Sequence, residues 1–123
     1  MSAVVLVVAA SFLAMGGYAL AVPARVLAIF GIAVTTVDGR NEVSAVYGGF
    51  GIAIAGVLAL ALAAPGLRAG ILVAVAAALF GMAGGRLIAA AVDRPPGFYP
   101  WLFFTLELVG AAALAAAVEA APW

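Results

Sequence analysis

The chain has 123 residues, of which 69% are apolar and only 8% charged, and its five arginines balance its five acids. A soluble domain carries about 25% charged residues, so this chain cannot cover itself with polar surface in water and reads as a single integral membrane domain, 1–123. It has no Cys and no His, which removes disulfides, thiolate and imidazole chemistry and Cys/His metal sites, and with no lysine and no net charge it is not suited to nucleic acid.

A bilayer core about 30 Å thick requires about 20 apolar residues per helical crossing. Residues 3–22 are uncharged and stop at Pro23, which predicts a first span. The first basic side chain is Arg25, so the segment lacks the basic start of a signal peptide and is expected to be a retained helix. There is no Gly after Met1 and no Cys to acylate, so no lipid anchor is expected. Residues 24–37 are apolar but short, which predicts an interfacial or re-entrant segment, the alternative being a fifth, short crossing. They lead into a polar turn, Asp38-Gly39-Arg40-Asn41. A second span covers 43–64 and stops at Pro65-Gly66. The third covers 69–92 with Arg86 inside it, and the fourth covers 101–118 with Glu107 inside it. Between these two, Pro95-Pro96 cannot continue a helix. The expected fold is all-α: a membrane-embedded antiparallel four-helix bundle with a short interfacial or re-entrant segment after the first helix.

The loops 23–40 and 93–100 fall on one side of the membrane and carry Arg25, Arg40 and Arg94, which by the positive-inside rule leans that side toward the cytoplasm. Tyr18, Tyr99, Trp101 and Trp123 lie near helix ends, where aromatic belts form. In lipid, helices associate where small residues let backbones approach. Ser44, Gly48, Gly51 and Ala55 form one such face of the second span, with a second stripe at Ala45, Gly49, Ala53 and Gly56; the third span contains Gly81-x-x-x-Gly85. Both spans are expected at the centre of a tight bundle, with contact inside one chain or between copies left open.

A charged side chain at mid-membrane costs on the order of 3 kcal/mol on insertion scales, so it is retained only when partnered or functional. At 1.5 Å per residue, Arg86 lies about 10 Å below Asp93, Glu107 about 10 Å below Pro100, and Tyr47 at a similar depth below Arg40. Glu42 and Asp93 sit nearer the surface. The expectation is an Arg86–Glu107 ion pair with Tyr47 donating a hydrogen bond. A forked guanidinium suits a carboxylate across a helix interface. A surplus carboxylate at this level can take up a proton or bind a cationic or hydroxyl-bearing group. The plainer alternative is that the pair only fixes helix register.

Arg40-Asn41-Glu42-Val43, Ala45-Val46-Tyr47-Gly48-Gly49, Gly85-Arg86-Leu87-Ile88 with Val92-Asp93, and Leu106-Glu107-Leu108 together resemble a family of small bacterial four-helix integral membrane proteins with no assigned function. The sequence is similar to DoxX-like membrane proteins and, more remotely, to eukaryotic ergosterol-biosynthesis scaffold proteins. The resemblance runs from about residue 38 onward. It implies that Arg40, Asn41, Glu42, Tyr47, Arg86, Asp93 and Glu107 are the family's polar positions, and that the protein is multi-pass in a bacterial cytoplasmic membrane. The chain departs from the family's pattern at Ser44 (often Arg), Ala89 (often Ser) and Arg94 (often Gly).

Three functions fit these residues. The first is binding of a lipid headgroup, quinone or other amphiphile at the polar cluster, as an accessory subunit. The second is a scaffold for partner membrane proteins. The third is proton-linked transport by a homo-oligomer. No catalytic residues, metal site or cofactor are expected: the sequence has no nucleophile–base pair and no phosphate loop.

Overall fold

The computed structural model describes residues 1–120 and 123. Its regular elements are helical, with no strand among the described residues. The helices are α1 (Ser2–Ala21), α2 (Val37–Val43), α3 (Phe50–Ala63), α4 (Pro65–Val92) and α5 (Phe98–Ala117). A π-helical turn, Ser44–Gly49, joins α2 to α3 without a break, giving one helix over Val37–Ala63. Four helices are therefore long and apolar enough to cross a membrane: Ser2–Ala21, Val37–Ala63, Pro65–Val92 and Phe98–Ala117. With no water in the hydrocarbon to take up backbone hydrogen bonds, a helix that satisfies its own is the structure such sequences must form.

Three boundaries differ from the sequence reading. Asp38–Asn41 is helix, not a polar turn. Thr36 caps the start, its Oγ1 accepting from the Gly39 N–H at 2.9 Å, and Asp38 adds a negative charge to the first turn, where the helix dipole favours it. Pro65–Arg68 is likewise the first turn of α4, because proline at the first helical position forfeits only a hydrogen bond the helix lacks anyway. For the same reason α5 starts at Phe98 and carries Pro100 in its first turn. The segment expected to be interfacial or re-entrant holds only a 3-10 turn at Ala28–Phe30. Gly31 ends that turn at φ 76°, a left-handed conformation that suits glycine.

The chain divides into two compact units, Val5–Leu60 and Ala61–Trp123 with Met1–Val4. In the Val5–Leu60 unit, α1 packs antiparallel on the π turn and α3 through glycines. A Cβ on Gly16 would lie 2.7 Å from the Gly48 carbonyl oxygen and 2.9 Å from the Ile52 nitrogen, and one on Gly51 would lie 3.0 Å from the Phe12 carbonyl oxygen. Gly48, Gly51 and Ala55 are buried, as the first small-residue stripe predicts. Ala19, Val26 and Val43 form a small core, with Met15, Leu27 and Val34 packed on it, so the segment after α1 folds back onto the helix pair.

In the Ala61–Trp123 unit, α4 and α5 form a hairpin. Leu72, Val75, Ala76, Leu79 and Ala83 make the buried stripe of α4, and Glu107, Ala111 and Leu114 that of α5. Gly81-x-x-x-Gly85 makes no tight contact within the unit, which leaves contact between copies as the open form of that expectation. Both glycines are exposed, and a Cβ on either would meet nothing within 4 Å, because the larger Leu79 and Ala83 take the buried face. Gly49 and Gly56 of the second stripe are exposed as well. At the other end of α4, Arg68 turns back to donate from Nε to the Ala61 carbonyl at 2.8 Å and from Nη2 to the Leu62 carbonyl at 3.1 Å. These are final-turn carbonyls that α3 cannot satisfy by itself. The Trp123 ring lies 4.4 Å from the same guanidinium carbon, within cation–π range.

Candidate functional site

Arg86 stands near the end of α4, and Glu107, midway along α5, heads its buried stripe. The hairpin brings them together: Arg86 Nε donates to Glu107 Oε1 and reaches Oε2 at 3.2 Å. The residue-level exposure of Glu107 is 5%, which makes it the one buried charged residue among those described, while the Arg86 side chain is 28% exposed. A carboxylate so enclosed needs a charged partner. The Arg86 guanidinium also faces the Phe103 ring at 5.8 Å.

Arg86 lines a hollow of about 250 Å³ together with Ala90, Asp93, Arg94, Pro100 and Trp101. That is smaller than the 300–1,000 Å³ typical of pockets that enclose a drug-sized molecule. Arg86 and Asp93 reach it together because they share a helix face. Asp93 caps the end of α4, and its Oδ1 accepts from the Arg94 N–H at 2.8 Å. The Arg94 side chain is exposed and pairs with no acid among the described residues. Two guanidinium groups and one carboxylate thus line the hollow, with the Trp101 indole as an apolar wall. The sequence assigned Trp101 only to the aromatic belt; its position one residue past Pro100, inside the first turn of α5, is what turns it to this wall.

The remaining predicted positions lie in the Val5–Leu60 unit. Glu42 and Tyr47 line a second hollow of about 530 Å³, bounded also by Val34, Thr35, Thr36 and Val46. The Tyr47 hydroxyl makes no hydrogen bond among the described residues, so the donation expected of it is not seen, and Glu42 makes no ion pair there. Arg40 and Asn41 line neither hollow. The two threonines were not singled out from the sequence. Thr36 carried a usable signal as an N-cap residue type one position ahead of the Val37-Asp38 helix start, but Thr35 carried none.

No group of three or more His, Cys, Asp or Glu able to hold a metal ion occurs among the described residues. No curated protein and no solved structure matches the chain. These comparisons show no similarity to DoxX-like or ergosterol-scaffold proteins. Residues 1–118 match the model of a domain of unknown function (DUF4345), and the chain belongs to that family.

Proposed function

We propose that the protein is a membrane-embedded binder of an amphiphile whose headgroup carries hydrogen-bond-accepting oxygens, a phosphate or a quinone carbonyl. The observation that carries this reading is that Arg86, paired with the buried Glu107 on one side, lines an open hollow on the other. A pair retained only for packing has no need of a second, unpaired guanidinium beside it. Arg94 supplies one, and guanidinium groups bind planar or tetrahedral oxygen anions through parallel N–H donors. Exposed apolar side chains close to the hollow, Leu87, Ile88 and Val92, offer a surface for the ligand's hydrocarbon.

The test uses Trp101 as reporter, in a Trp123→Phe background. Decylubiquinone should quench its fluorescence saturably, and Arg94→Ala should weaken binding about tenfold, the size of one lost charge-assisted hydrogen bond. Competition by phosphatidylglycerol but not phosphatidylcholine assigns an anionic phospholipid; indifference to both lipids assigns the quinone. Quenching that never saturates, or that Arg94→Ala and Arg86→Gln leave unchanged, refutes the reading.

A further inference from the structure

The groove on the Val5–Leu60 unit has a different chemistry from the α4–α5 hollow. We infer that it is a second binding site, for the primary ammonium group of an amphiphile, with Glu42 as its anionic partner and Tyr47 and the threonine pair as further lining oxygens. Glu42 is the one charged residue that lines it, and no cation does. The Glu42 carboxylate and Tyr47 hydroxyl have no partner among the described residues. Asp38 stands one turn before Glu42 on the same helix, which adds to the negative potential. Thr35 and Thr36 also line the groove at the start of this helix, and the Thr36 Oγ1 that caps it keeps a further lone pair. Around these oxygens the walls are hydrocarbon: Val34 and Val46, with others beyond them.

The backbone here is unusual in a way that serves a site. The π turn at Ser44–Gly49 widens the helix beside the groove; single π turns are rare and occur frequently at functional sites. Neighbouring residues on this turn face different surroundings. Gly48 is buried against α1, while Tyr47, the residue before it, is 38% exposed and faces the groove. Close helix packing and an open polar wall are thereby carried on the same turn.

A primary ammonium presents three N–H donors, which a carboxylate and two or three hydroxyl oxygens can accept together. A trimethylammonium has no N–H to donate, and a glycerol headgroup has no positive charge. The site therefore selects phosphatidylethanolamine, or a free long-chain amine, over phosphatidylcholine and phosphatidylglycerol.

The experiment is native mass spectrometry of the full chain released from dodecyl maltoside micelles doped with equal amounts of the three lipids. Wild type should retain phosphatidylethanolamine about tenfold over phosphatidylcholine. Glu42→Gln should bring the two to parity and Tyr47→Phe should reduce the preference, while Arg94→Ala should leave it intact because that residue lines the other hollow. Displacement of the bound lipid by dodecylamine confirms the shared ammonium chemistry. Binding of dodecylamine without any retained phosphatidylethanolamine assigns the site to a free amine. Wild type with no preference for either amine overturns the inference whether or not the variants fold, and so does a Glu42→Gln protein that keeps the preference. Loss of the preference in Arg94→Ala overturns the claim that this is a second site.

Discussion

Replacing Gly16 with alanine tests how α1 is held. The new Cβ would lie 2.7 Å from the Gly48 carbonyl oxygen, 2.9 Å from the Ile52 nitrogen and 2.9 Å from Ile52 Cγ1. Optimal carbon contacts fall at about 3.5–4.0 Å, so the helices must separate by several tenths of an ångström. Two of the three obstacles are backbone atoms fixed by their own helix, and they cannot rotate away as a side chain can. Overpacking of this kind costs about 1–3 kcal/mol, against which alanine's better helix propensity returns at most about 1 kcal/mol. Gly17→Ala is the internal control. A Cβ there meets nothing within 4 Å, so only the propensity gain remains, and the two variants should differ by about 1–3 kcal/mol. The chain has no cysteine, so spin labels placed by Leu13→Cys and Phe50→Cys are the only labelled sites and report the α1–α3 separation during SDS titration. Gly16→Ala should separate at a lower SDS fraction than wild type, and Gly17→Ala at the same fraction or a higher one. Coincident transitions for the two alanine variants would refute the claim that backbone approach at Gly16 holds this pair.

Two further perturbations address the Ala61–Trp123 unit. Glu107→Gln leaves Arg86 without its carboxylate and should destabilise the α4–α5 hairpin by about 3–5 kcal/mol, whereas the apolar pair Arg86→Met with Glu107→Leu should recover most of that loss; a double-mutant cycle read by Trp101 fluorescence in SDS checks it. Arg68→Gln removes the charged donors from the Ala61 and Leu62 carbonyls and should cost about 1.5–3 kcal/mol. Arg68→Lys should restore only part of this, because an ammonium lacks the fork that reaches both carbonyls, and Trp123 fluorescence follows the change.

The sequence made the spans legible because hydrocarbon permits so few alternatives: an uncharged run of the right length has to be helix. Arg86 and Glu107 stood out because two charges at equal depth on adjacent spans have a strong reason to meet. Helix ends were harder to read. Asp38–Asn41 and Pro65–Arg68 carry turn-forming residues that are equally at home in a first helical turn, and the choice depends on a cap, Thr36, and on an acceptor arrangement, the α3 carbonyls at Arg68, that exist only in three dimensions. Glycine patterns served in one place and stayed open in another. Gly48 and Gly51 meet α1 as their spacing suggests, but Gly81 and Gly85 fall on the face opposite Leu79 and Ala83, and an alternation of small residues does not say which side is covered. The π turn left no mark in composition at all.

That wide turn has one more implication. A helix containing it holds one residue more than its hydrogen-bond register requires between Ser44 and Gly49. The surplus sets the register of everything after it: Gly51 and Ala55 are turned by about 100° relative to Asp38 and Glu42, compared with an unbroken α-helix from Val37.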